Sequence, residues 1–165
     1  MRINSSRYER LAATFVLLMA GTMLLHAGPG NIAGKAKVTA SVELNSNFAA
    51  ANINDGLIRI HNLGEWASDS HTTFWGAVNY PWIQLNWDTA QCIDKIIFYD
   101  RPTLDAHLAG GTLEFSDGTK LSVNLIPNDG SACVVTFPPK SIDWFRFVVT
   151  DGTGDQLSSQ IDHPV

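Results

Sequence analysis

From Val38 onward the chain alternates apolar and polar residues in short runs, and clusters of Gly, Asn, Asp and Pro separate those runs. A period of two sends successive side chains to opposite faces of an extended strand, whereas an amphipathic helix needs a period of 3.6. Strands therefore dominate and long helices are not expected. The clearest runs are residues 37–42, 82–87, 93–99, 112–115, 120–125, 133–137 and 142–150. In the second, Ile83, Leu85 and Trp87 share one face and Trp82, Gln84 and Asn86 the other, so one face is core and the other partly wet.

The turns agree with the runs. Asp117-Gly118 stands between Leu113/Phe115 and Leu121/Val123/Leu125, the strongest short-range signal for a hairpin. Asn128-Asp129-Gly130 reads as a second turn, and Pro138-Pro139 separates the run at Cys133 from the run at Trp144. About seven or eight strands in one domain predict an all-β, two-sheet antiparallel sandwich. Residues 44–80 show little alternation and are rich in Asn, His, Gly and Ser, which predicts a long irregular stretch of the kind that carries function.

The beginning of the chain has a different composition. Arg2, Arg7 and Arg10 precede a mostly apolar run over 11–27, and Gly28-Pro29-Gly30 follows it. This is the layout of a secretory signal over residues 1–27, with 28–165 as the domain and an uncleaved anchor as the alternative. Loss of Arg2, Arg7, Arg10 and Glu9 takes the 11 basic and 16 acidic residues of the whole chain to 8 and 15. So acidic a product repels nucleic acid, and once the signal is removed nothing remains to hold it to a membrane. Export also allows Cys92 and Cys133 to form a disulfide, with two free thiols as the other reading.

Several segments, in order, resemble the galactose-binding-like or discoidin-type superfamily, which includes coagulation-factor C domains and many carbohydrate-binding modules. They are Asn31-Ile32-Ala33, Val38-Thr39-Ala40-Ser41, Ala51-Asn52-Ile53-Asn54-Asp55-Gly56, Glu65-Trp66-Ala67-Ser68 and Trp82-Ile83-Gln84-Leu85. Ile96-Ile97-Phe98-Tyr99-Asp100-Arg101-Pro102, Leu113-Glu114-Phe115-Ser116-Asp117-Gly118 and Trp144-Phe145-Arg146-Phe147-Val148-Val149-Thr150 extend the likeness. The version most similar is the one appended to secreted sugar-active enzymes, some de-N-acetylases among them. The resemblance implies a jelly-roll sandwich whose loops at one end hold a glycan without cutting it. It also implies a structural calcium bound in part by Asp55. The chain departs from the pattern at its end, where Gln156-Leu157-Ser158-Ser159-Gln160-Ile161 lacks the Glu that supports this metal in relatives.

Sugar recognition sets an aromatic ring against the apolar face of a pyranose and surrounds it with side chains that hydrogen-bond hydroxyls. Trp87 and Phe147 fall in strand patterns and belong to the core. Trp66 and Trp82 match structural positions of the resembled family, and Trp144 opens a strand. Trp75 and Tyr80 remain as candidate platforms, with Arg101, Asp105, His107 and His71 as candidate hydrogen-bond partners in the loops. Carboxylates are plentiful but follow no catalytic pattern, and no nucleophile elbow, His-Glu-x-x-His or phosphate loop is present. The expectation is an extracytoplasmic, non-catalytic module whose partner is a glycan or polysaccharide. The alternative is a structural or protein-interaction sandwich without a sugar site.

Overall fold

The structure is a computed structural model and describes residues 30–56, 65–68, 72–74, 77–100 and 107–153. The expected leader over 1–27 lies outside these residues. Seven strands are described: β1 Lys37–Ala40, β2 Thr72–Phe74, β3 Ala77–Asn79, β4 Trp82–Tyr99, β5 His107–Phe115, β6 Lys120–Asn124 and β7 Ala132–Thr153. Five form an antiparallel sheet in the order β1-β4-β7-β5-β6, and β2 pairs with β3 in a separate ribbon. The stretch expected to be irregular, 44–80, thus holds this ribbon as well as 3-10 turns at Ser46–Phe48 and Ala50–Asn54.

Four of the sequence runs merge into two long strands. Runs 82–87 and 93–99 are both β4, and 133–137 and 142–150 are both β7. The reason lies in two register shifts. Between the pairs Asn86↔Trp144 and Gln91↔Ile142, residues 87–90 of β4 face Asp143 alone. Between Ile93↔Lys140 and Lys95↔Thr136, residues 137–139 of β7 face Asp94 alone. Extra residues on one strand bend it and increase its twist. Pro138 and Pro139, which cannot donate to a ladder, fall inside the second shift, so they mark a corner within one strand and not a break between two.

The corners make the sandwich. Residues 82–86 and 144–149 lie in the five-stranded layer, while the pairs from Lys95↔Thr136 to Tyr99↔Ala132 form a two-stranded ribbon that returns over it. Ring contacts record the closure. Phe98 of the ribbon meets Phe147 with centroids 4.8 Å apart, Phe137 meets Phe115 at 5.1 Å, and Trp87 at the corner meets Phe145 at 5.8 Å. Between the layers lie Leu113, Phe115, Ile142, Phe147 and Val149, each with at most 2% of its surface exposed. Trp87 and Phe147 are core residues, as their strand patterns predict. The result is the all-β sandwich expected from the alternation.

The hairpin at Asp117-Gly118 joins β5 to β6 with Glu114 opposite Lys120. Phe115 accepts from the Gly118 amide at 2.9 Å, and Gly118 takes φ +82°, the left-handed conformation glycine tolerates best. Register also decides the cysteines. Cys92 faces Ser141 and Cys133 faces Phe98, so the two thiols are separated by six positions along β4, about 20 Å at strand rise. A disulfide needs Cα atoms within about 7 Å. Both cysteines are free and half-buried.

Candidate functional site

Antiparallel order brings particular strand ends together. The end of β1 meets the start of β4 through Ala40↔Ile83, and the end of β7 meets the start of β5 through His107↔Thr153. The end of β6 closes the same edge through Gly110↔Asn124. The ribbon arrives there too, because Asp100, just past Tyr99, accepts the Leu108 amide on Oδ2 at 2.9 Å. Both layers thus end in one cluster of loops.

Hydrogen bonds fix this end. Ser41 Oγ accepts from the Trp82 amide at 2.9 Å, and Pro81 accepts from the Val149 amide at 2.9 Å. After β6 the chain turns through Leu125, which has φ +60° and is 88% exposed, and then reattaches where the Ile126 amide donates to the Ala109 carbonyl at 3.0 Å. Non-glycine residues with that φ are uncommon, because Cβ crowds the backbone. The turn that follows brings Asn128 Nδ2 to 3.4 Å from His107 Nδ1. Asp129 Oδ1 accepts from the Ser131 amide at 2.9 Å, and hydrogen bonding by Ser131 lowers the Asp129 carboxyl below its ordinary range.

Of the residues chosen from sequence, Tyr80 and His107 stand at this end. Tyr80 precedes β4 and is 38% exposed. His107 opens β5, on the other side of β7 from β4, so the two residues flank β7 at this end of the sheet. Trp75, Arg101, Asp105 and His71 lie outside the described residues. Asp55 stands elsewhere. Its neighbour Asn54 donates to the carbonyls of Ala33 and Ala36 at 2.8 and 2.9 Å, beside the start of β1 and at the far end of the sheet from His107.

Calcium takes six to eight oxygen ligands. Among the described residues no three His, Cys, Asp or Glu side chains gather, and residues 57–64, which follow Asp55-Gly56, lie outside them.

Sequence reasoning missed Asn128, Asp100 and Ser41 as parts of this end. Asn128 was legible only as a turn residue, since its partner is 21 positions away. Two tryptophans act as structural elements: Trp66 Nε1 donates to Val42 at 2.9 Å and Trp87 Nε1 to Ile32 at 3.2 Å. As for acid–base chemistry, among the described residues the two shifted carboxyls, Asp117 and Asp129, are both lowered by turn hydrogen bonds. A general acid needs the opposite shift. The loop end offers an aromatic ring, an imidazole, an amide and a carboxylate, a set suited to hydrogen-bonding a polar ligand.

Solved structures show the same fold. Chitosan-binding module 2 of a chitosanase/glucanase from Paenibacillus sp. IK-5, in complex with chitotriose, is 17% identical with a TM-score of 0.55; the match covers 74% of this chain and 88% of that one. A Clostridium perfringens module, CpGH89CBM32-5, in complex with GalNAc-β-1,3-galactose, is 18% identical with a TM-score of 0.53, covering 73% and 88%. Discoidin II from Dictyostelium discoideum is 13% identical with a TM-score of 0.50, covering 72% and 50%. No curated protein matches the chain. The sandwich is thus the galactose-binding-like, discoidin-type fold that the ordered segments resemble. The family model described as Domain of unknown function (DUF7402) matches residues 31–159, most of the chain, and the protein belongs to that family.

Proposed function

We propose that this protein is an exported, non-catalytic module that binds a glycan through the loops at the His107 end of the sandwich. One observation carries the reading: His107 and Asn128, paired at 3.4 Å, stand with Tyr80 and Asp100 where the strands of both layers end. Imidazole and amide groups hydrogen-bond hydroxyls in pairs, and a tyrosine ring packs on the apolar face of a sugar. The complexes of similar fold with chitotriose and GalNAc-β-1,3-galactose support this reading. Export is the part of the proposal that rests on the composition of residues 1–27.

A short glycan makes few contacts, so affinity is expected between about micromolar and millimolar. The test is a glycan-array screen with and without added calcium, repeated on His107→Ala and Trp75→Ala. Selective binding that falls about tenfold or more in His107→Ala supports the site. Binding that requires calcium would support the structural metal at Asp55 that the resemblance implies. No binding by well-folded protein in either condition overturns the reading.

A second reading has its own observation. On the outer face of the ribbon, Ile97 and Val134 are direct cross-strand partners, 41% and 54% exposed, and Tyr99 beside them is 48% exposed. An apolar cross-strand pair left open to water favours a protein-interaction role. Silence on the array, together with concentration-dependent self-association lost in Val134→Lys, would select it.

A further inference from the structure

The face of the five-stranded sheet that points away from the core is built from residues unlike those of an ordinary solvated face. Trp82, Gln84 and Asn86 of β4 lie opposite Val148, Arg146 and Trp144 of β7. The two indoles are therefore diagonal, one toward each end of the sheet, with Arg146 between them. The Arg146 guanidinium carbon is 4.3 Å from the centre of the Trp82 ring and 5.9 Å from that of Trp144.

A chain of polar contacts holds the row in place. Arg146 Nε donates to Gln84 Oε1 at 2.9 Å, Gln84 Nε2 to Asn86 Oδ1 at 2.6 Å, and Asn86 Nδ2 to the Lys37 carbonyl at 3.2 Å. On the other side Glu114 Oε2 is 4.0 Å from Arg146 and Glu114 Oε1 is 2.6 Å from Lys120. Arg146 keeps 34% of its side chain exposed and Glu114 24%, so the row is ordered yet open to a ligand. Its rotamers are fixed before anything binds, which removes part of the ordering cost of association.

The chemistry of the row selects its occupant. Indole faces accept the C–H faces of sugar rings, while paired amides, a carboxylate and a guanidinium suit hydroxyls. The acidic Glu114 between two basic groups leaves no block of positive charge, and the chain carries a net charge of -5, so polyanions are disfavoured. Aliphatic residues, which a protein partner would need at the centre of its interface, are confined to Val148 in this stretch. We propose that this outer face is a second carbohydrate-binding surface, independent of the loop end, which takes an extended neutral polysaccharide laid along β4 and β7.

The test is affinity electrophoresis of the full chain in gels containing hydroxyethylcellulose, galactomannan or a soluble α-glucan, with Trp144→Ala and Gln84→Ala alongside. Retardation by at least one polymer is expected, weakened about tenfold in Trp144→Ala and several-fold in Gln84→Ala. Titration with the same polymer should quench or blue-shift the tryptophan emission of the unmutated protein. That optical readout keeps the idea testable where Trp144→Ala lowers the unfolding temperature. Unretarded wild-type protein, or a well-folded Trp144→Ala retarded as strongly as wild type, overturns the proposal. So does self-association through this face that Trp144→Ala abolishes while no polymer binds. The loop site is scored separately by short glycans and His107→Ala, so either reading can fail while the other stands.

Discussion

Asp117 shows how much one turn residue controls. Its Oδ1 accepts from the Thr119 amide at 2.9 Å and from the Thr119 hydroxyl at 2.5 Å, and Lys140 Nζ reaches its Oδ2 at 2.9 Å. The Thr119 side-chain hydrogen bond, with help from Lys140, lowers the Asp117 pKa from 3.8 to about 2. Because the folded value is depressed, the stabilisation is complete above the unfolded pKa and disappears as pH falls from about 4 toward 2. Asp117→Asn should therefore be less stable than wild type at neutral pH. Chemical denaturation across that window should show the difference closing on the acid side. Single positions were legible in the sequence where the environment is periodic: Trp87 and Phe147 were assigned to the core by their place in alternating runs. Tyr80 and His107 have no periodic context, and their position at one end of the sandwich follows from pairings far along the chain.

At the scale of elements, turn chemistry and alternation located the strands but not their continuity. Asp88, Thr89, Pro138 and Pro139 have the same local chemistry as loop residues, and only a partner strand shows whether they end a strand or bend it. Glycine has a comparable double reading in β5. A Cβ on Gly111 would press on the Val148 carbonyl and lie 2.7 Å from the Phe147 ring, and one on Gly110 would lie 2.6 Å from the Val123 carbonyl. These glycines let β5 approach its neighbours where the register slips. Gly111→Ala should cost roughly 1–3 kcal/mol through overpacking, measured by urea denaturation, with unchanged β content in the folded protein. Gly118→Ala acts differently, since nothing lies near its Cβ and the penalty comes from φ alone.

For the whole molecule, the ordered segments pointed to the right sandwich, while the cysteines could not be resolved without register. With the two cysteines separated by six positions along β4 and both free, no disulfide ties the layers to each other. Reducing agent should leave the thermal midpoint unchanged, and both thiols should titrate with a thiol reagent in denaturant without prior reduction. The candidate site was legible as a region, the loops at one end, but its membership depended on topology. Asp100, His107 and Asn128 come from three separate stretches that meet because β4, β5 and β6 share an end. The sheet face at Arg146 was visible in outline as the wet side of the run at Trp82, but its aromatic-polar row emerged only from the pairing of β4 with β7.

Because β4 and β7 each run through both layers, neither layer is a self-sufficient unit. Severing the chain between β4 and β5 would yield two pieces, each with one of the long strands and neither with a complete ladder. Such halves have reason to fold only on meeting each other, which makes this sandwich a natural starting point for a split pair that reassembles when its two carriers are brought close.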